Sequence, residues 1–120
     1  MNRKINFNKK YAKFSDYWAP KVIAEMNNYQ FKLVKIKGDF IWHTHYETDE
    51  AFIVVKGLME IHLRTEIIKL NSGELYVVKK GVEHKPFAKK ECQIMLIEPK
   101  QISNTGNKNS EMTARNDIWI

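Results

Sequence analysis

Three of the four histidines and one glutamate are spaced as the ligands of a single metal ion would be. His43 and His45 lie two residues apart in a segment expected to be extended, which places both side chains on one face. Their Cα atoms would lie about 7 Å apart, so two imidazoles could reach one ion at about 2.1 Å. Glu50 begins the next strand after a turn, and His84 follows the turn that Gly81 opens. Three neutral imidazoles and one carboxylate suit a divalent transition metal.

The same residues also have a simpler explanation, in which each histidine is packed or exposed for structural reasons alone. A His-X-His pair by itself is a weak sign of a metal site, because isolated histidines are more often structural. The whole set on an all-β pattern, with glycines around it, favours a metal site. Its ligands would be His43, His45, Glu50 and His84.

The elements that must position these residues are short strands. Between residues 22 and 97 a turn signal occurs every six to ten residues, and no segment of ten or more residues keeps a helical period. Many short strands at even spacing predict an all-β sandwich or barrel. The predicted strands are Val22–Met26, Tyr29–Lys37, Phe40–His45, Glu50–Lys56, Leu58–Leu63, Glu66–Leu70, Leu75–Val78 and Gln93–Ile97.

The 120 residues correspond to one domain, which we divide into an N-terminal arm (1–20, with a short helical turn across Tyr11–Trp18), a barrel (21–98) and a C-terminal tail (99–120). The strand Glu50–Lys56 is apolar on both faces, yet the inside of a small barrel covers only one face of a strand. We therefore expect the arm, the tail or a second subunit to cover the outside. The terminal Trp119 is expected to pack back onto a sheet or a partner.

Composition excludes several classes of protein. The net charge is +6, but it comes mostly from scattered lysines, and with only three arginines we expect no nucleic-acid partner. No apolar stretch is long enough for a transmembrane helix, and no apolar run follows the basic start as in a secretory signal, so we expect no membrane partner. A single cysteine, Cys92, excludes an internal disulfide framework and predicts a cytoplasmic location.

Several other residues are expected outside the metal set. His62 should lie outside the barrel, Trp42 should point away from the site, and Cys92 should be a buried small hydrophobe. Glu47 and Asp49 are either solvated loop residues or partners of the imidazoles. Five lysines near His84 either form a solvated edge or surround a mouth that attracts an anionic substrate: Lys79, Lys80, Lys85, Lys89 and Lys90.

Two segments resemble the conserved motifs of the cupin family. From Gly38 to Gly57 the order is glycine, a short gap, His-X-His, a gap, glutamate, six residues and glycine, which is similar to the first cupin motif. From Gly73 to His84 the chain is similar to the second motif, with Lys79 where that motif usually has proline. The gap after Gly38 is also one residue shorter than is common. The resemblance is to small single-domain cupins, often labelled mannose-6-phosphate isomerase-like, and it implies a double-stranded β-helix, or jelly-roll, barrel.

The resemblance also implies that His43, His45, Glu50 and His84 hold one metal ion, which in such proteins is Fe, Mn, Ni or Zn. Four protein ligands on an octahedral ion leave two positions open for water, O₂ or a chelating substrate. We expect a metalloenzyme of isomerase or dioxygenase type that acts on a small polar or anionic molecule. The alternative is a binding module that holds a small molecule or sugar on the metal without turnover. In either case a homodimer is expected.

Overall fold

The structure is a computed structural model that describes residues 3–120, so the first two residues of the predicted arm lie outside it. It is an all-β jelly roll, as the sequence predicts, with one short N-terminal helix. The elements are α1 (Phe7–Tyr11), β1 (Lys21–Met26), β2 (Tyr29–Asp39), β3 (Glu50–Lys56), β4 (Leu58–Leu63), β5 (Ile67–Asn71), β6 (Leu75–Val78) and β7 (His84–Pro99). Within the described range, no helix is both long and apolar enough to cross a membrane.

The long strand β7 joins the two halves of the barrel. Its first residues pair with β4, in the register Leu63 with His84, and its later residues lie between β2 and β3. The strand order is β1-β2-β7-β3-β6, with β4 bonded to both β5 and β7. One strand thus belongs to both halves, and its first residue is a member of the predicted metal site.

The barrel interior is filled by the inward face of each strand, because strand side chains alternate between faces. In β3 the residues Glu50, Phe52 and Val54 are buried, whereas those between them are only half-buried. In β4 the buried residues are Met59 and Ile61. The register that buries Phe52 and Val54 therefore also turns the Glu50 carboxylate into the barrel.

The segment from Phe40 to His45 is not the strand that the sequence predicts. Only His43 forms a β-bridge, and its partner is His84. The neighbouring backbone groups bond elsewhere: the Phe40 amide donates to Pro86, and the His45 carbonyl accepts from Gly81. Because the partners differ from residue to residue, no continuous ladder forms, although the segment stays extended enough to direct both histidines inward.

The arm and the tail lie on the outside of the barrel. The helix α1 begins earlier than the predicted helical turn, because the Asn6 side chain accepts from the Lys9 amide and caps it at Phe7. Tyr11 is buried on the outer sheet face beside Ile23 and Leu33, with Ile120 of the tail packed against the same cluster.

At the end of the tail, the Val22 backbone bonds to Ile118 and to Ile120. Trp119, which lies between them, remains 48 % exposed. The expected packing of Trp119 is therefore only partial in the single chain.

Candidate metal centre

Two of the predicted ligands lie directly opposite each other in an antiparallel bridge. The His43 amide donates to the His84 carbonyl, and the His84 amide donates to the His43 carbonyl, both at 3.0 Å. Directly opposed residues in such a bridge point to the same face. The two imidazoles consequently lie side by side, with ring centroids 4.3 Å apart.

Two loop contacts bring the other two ligands to this bridge. The Gly81 amide donates to the His45 carbonyl at 2.8 Å, which joins the His45 segment to the turn before His84. The Asp49 carboxylate accepts from the Lys80 amide at 2.9 Å, and this holds the chain just before β3 against the same turn. Asp49 thus acts on the loop backbone, not on an imidazole. Glu50 then enters the barrel as the first residue of β3.

The structure brings the four predicted residues together at one buried point. One potential ligand atom from each of His43, His45, Glu50 and His84 lies within 4.8 Å of the other three. The Glu50 Oε1 atom is 3.3 Å from His45 Nε2 and 3.4 Å from His84 Nε2. In the described part of the chain, none of these three atoms has a hydrogen-bond partner. Buried polar atoms are rarely left unpaired, so three together indicate a group that they bind.

The hydrogen bonds of two imidazoles favour the tautomer that a metal requires. His43 Nδ1 lies 2.9 Å from the Ile41 carbonyl, and His84 Nδ1 lies 2.9 Å from the Val82 carbonyl. A carbonyl only accepts, so each Nδ1 carries the proton and each Nε2 keeps its lone pair. In both cases the carbonyl belongs to the residue two positions earlier, so the local backbone itself orients each ring.

The protonation of the site also suits metal binding. Burial and the neighbouring His84 lower the pKa of His43 to about 4, so its imidazole is neutral at pH 7. For Glu50, burial acts to raise the pKa, but His45 and His84 outweigh it and hold the pKa well below its usual range. Neutral imidazoles and an ionised carboxylate are the forms that bind a divalent cation. The donor set and its unpaired atoms therefore fit one divalent transition metal.

A small apolar cavity adjoins this cluster. It measures about 30 Å³, which is room for roughly two water molecules. Trp18 of the arm closes one side by stacking on Phe40, with ring centroids 4.7 Å apart, and Asn104 of the tail lies beside it. The lining residues are Trp18, Pro20, Val34, Ile36, Phe40, His43, Glu50, Phe52, Pro86, Ile94, Leu96 and Asn104.

The tail holds the His-X-His segment from outside, which the sequence analysis did not predict. Asn107 bonds Thr44 twice: its side-chain oxygen accepts from the Thr44 amide at 2.9 Å, and its own amide donates to the Thr44 carbonyl at 3.0 Å. Gly106 passes so close that a Cβ atom there would lie 2.4 Å from the Thr44 carbonyl oxygen and 3.2 Å from the His43 ring. The sequence carries an Asn-Thr-Gly run at 104–106, but no local pattern indicates that it contacts Thr44.

The residues expected outside the metal set lie outside it. His62 contacts Glu60 at 2.7 Å on the barrel exterior, and Cys92 is fully buried. Trp42 points away from the cluster and lies under the Arg64 guanidinium, 3.7 Å from it. None of the five lysines near His84 is among the residues that line the cavity, as far as the described chain shows.

A family model described as "Cupin domain" matches residues 32–98, more than half of the chain. The chain belongs to the cupin family. This cupin is 30 % identical over 95 residues to the uncharacterized protein YdbB of Bacillus subtilis, covering 77 % of this chain and 76 % of YdbB.

Two solved structures are closely similar to this cupin. A cupin-2 domain containing protein from Shewanella frigidimarina has 59 % identity and a TM-score of 0.79, over 80 % of this chain and 94 % of that one. Protein NMB1881 from Neisseria meningitidis has 33 % identity and a TM-score of 0.75, over 82 % of this chain and all of that one.

The close approach of Gly106 leads to a prediction about the tail. Gly106→Ala should displace the tail from Thr44, because the added methyl group meets backbone and not a flexible side chain. We expect a loss of about 2 kcal/mol in the free energy of unfolding, measured by urea denaturation, and faster proteolysis after residue 100.

Gly73→Ala is the matched control. Gly73 also has a positive φ, of 84° against 57° for Gly106, but no atom of the described residues lies within 4 Å of its added Cβ. It should show only the cost of backbone strain. Equal losses in the two variants would show that the contact with Thr44 does not hold the tail.

Proposed function

We propose that this cupin binds one divalent transition metal (Fe, Mn, Ni or Zn) through His43, His45, Glu50 and His84, and presents it to a small molecule in the adjoining cavity. The observation that carries the proposal is the convergence of these four buried side chains, three of which have ligand atoms that lack hydrogen-bond partners among residues 3–120. The bound metal would supply a Lewis acid that holds the substrate through its oxygen atoms.

The cavity favours an apolar substrate over a sugar or an anion. Apart from the metal-site residues His43 and Glu50, its polar lining groups already have partners. Asn104 donates to the Trp18 and Met112 carbonyls and accepts from the Ala114 amide. The Trp18 indole N–H donates to the Lys37 carbonyl. A sugar would bury several hydroxyls without partners here, which is costly.

The kind of substrate that fits the cavity also limits the kind of reaction that the protein could catalyse. The residues of the chain leave isomerisation and oxygen insertion open, but isomerisation of a sugar requires hydrogen-bonding walls, which the described residues around this cavity do not offer. We therefore favour a dioxygenase-type activity on a small, largely apolar molecule that carries oxygen donors. In this account Trp18 and Phe40 exclude bulk water, while Glu50 and the imidazoles hold the metal.

A binding module without turnover is the second candidate, and one observation supports it. Within the described chain, the only acid–base side chains that line the cavity are His43 and Glu50, and both are proposed metal ligands. No separate general base is therefore in place for a proton transfer.

We also propose that a second copy of the chain covers the outer sheet face. Ala51 of β3 lies between Val77 of β6 and Ile97 of β7, and all three side chains are only half-buried in the single chain. Within residues 3–120, the arm and the tail cover the neighbouring part of the same face around Leu33, but they leave this patch half-buried.

If two chains pair through this patch, Val77→Asp should dissociate the dimer into single chains, because a carboxylate would be buried in an apolar interface. Light scattering should give the mass of two chains for the wild type and of one chain for the variant. Lys85→Asp, which also adds an acidic group but lies off this patch, is the control. A wild type with the mass of one chain would contradict the dimer.

The proposed metal site predicts metal content. His84→Ala should abolish stoichiometric metal, because it removes a ligand atom at the centre of the cluster. His62→Ala is the matched control, since His62 is partnered with Glu60 outside the cluster. Elemental analysis of untagged protein should find close to one equivalent in the wild type and in His62→Ala. Metal at equal levels in all three proteins would contradict the site.

The proposed substrate class predicts ligand preference in the Co(II)-loaded protein. Catechol, an apolar ring with two oxygen donors, is larger than the cavity of about 30 Å³, so it must displace the Trp18 side chain to reach the metal; it should then change the Co(II) absorption spectrum, whereas mannose 6-phosphate should not. Trp18→Ala should tighten catechol binding because it enlarges the cavity, and Tyr17→Ala, at an exposed neighbour, should not. A response to the sugar phosphate alone would contradict the apolar assignment.

A further inference from the structure

A lysine and a glutamate are buried together inside the barrel, where the other inward residues of the same strands are mostly apolar. Lys32 of β2 and Glu98 of β7 have side chains that are 3 % and 1 % exposed, and the Lys32 Nζ atom is 2.9 Å from Glu98 Oε1. Both face inward in the rows that also contain Val34 and Leu96. The metal site does not include either residue.

Stability alone does not explain this pair. Burial and the nearby Glu50 raise the pKa of Glu98 well above its usual range, so the barrel interior disfavours its charge. Burying such a pair costs several kcal/mol, and an apolar pair of similar volume is often as stable or more stable. Lys32 and Glu98 lie in a region where apolar residues already fill the barrel. A buried Lys–Glu pair at such a place therefore indicates a role other than filling the core.

One oxygen of the Glu98 carboxyl group has no hydrogen-bond partner in the described chain. This atom, Oε2, is buried. In the register that pairs Ala51 with Ile97, Glu98 lies opposite Glu50, the one carboxylate of the proposed site, and both side chains are buried on the inward face. Neither Lys32 nor Glu98 lines the cavity beside the metal site. The pair therefore lies beside Glu50 and outside the cavity lining.

We propose that Lys32 and Glu98 are positioning residues, which hold the Glu50 carboxylate in the orientation that the metal requires. This inference rests on the metal site proposed above. Lys32 fixes Glu98 through the 2.9 Å contact, and Glu98 in turn restrains the carboxylate beside it. Partners of this kind commonly orient the residues that bind a metal directly, and their loss typically lowers metal affinity 10- to 100-fold.

The test replaces the pair with an apolar one and compares metal binding with folding. The variant K32M/E98L keeps the volume and removes both polar groups, so the metal-free protein should unfold at a temperature no lower than the wild type. Its affinity for Co(II), measured by chelator competition, should fall tenfold or more, and its Co(II) absorption spectrum should shift because Glu50 is no longer held.

Two further variants separate positioning from general effects. E98Q should stay within a few-fold of wild-type affinity, because the amide still accepts from Lys32 and can donate to Glu50. K85M/D39L removes the exposed Lys85–Asp39 pair, which has the same 2.9 Å separation, and should leave the spectrum unchanged.

Each outcome decides one point. A wild type that binds no Co(II) refutes the metal site itself. A wild type that binds Co(II), together with a K32M/E98L variant of equal affinity and identical spectrum, refutes the positioning role alone. If K32M/E98L does not fold, K32M is measured in its place with the same two outcomes.

Discussion

The reciprocal backbone bonds between His43 and His84 are the interaction on which the rest of the site depends. They join a loop segment to the first residue of the longest strand and place two imidazoles on one inward face. His45 then follows from the two-residue period of extended chain, and Glu50 from the register that buries Phe52 and Val54. The bridge thus converts residues 41 positions apart in the sequence into neighbours that can share one ion.

The site is a polar cluster inside an apolar barrel, and several contacts around it hold its rings and loops in place. Carbonyls of Ile41 and Val82 orient two rings, and the Lys80 amide holds the loop before Glu50 through Asp49. The tail bonds to the Thr44 backbone from outside the barrel through Asn107. These contacts leave three of the ligand atoms, on His45, Glu50 and His84, without partners in the described residues, which is the expected state of a site whose partner is an ion.

The sequence predicted the fold and the grouping of the four residues because both depend on periods and spacings. It failed where the partner of a residue lies far along the chain. The Phe40–His45 strand was wrong because its backbone groups bond to several distant segments. Trp18 and Asn107 carried no local sign of their contacts with Phe40 and Thr44.

The burial of Lys32 is even harder to predict from the sequence, because Lys32 is one of seventeen lysines and resembles a solvated strand residue. Its burial depends on Glu98, 66 residues away, and no local pattern encodes that pairing. The proposed substrate is apolar, not the polar or anionic molecule expected from the sequence, for a similar reason. The five lysines near His84 do not line the cavity, and its apolar walls come from the strands and the arm, in segments that are distant in sequence.

X-ray absorption at the edge of the metal that co-purifies with the protein tests the central claim most directly. The account predicts a nearest shell of nitrogen and oxygen atoms, with outer-shell scattering from three imidazoles and none from sulfur. A metal with fewer imidazoles, or with the sulfur of Cys92 in its nearest shell, would contradict the assignment of His43, His45, Glu50 and His84 as its ligands.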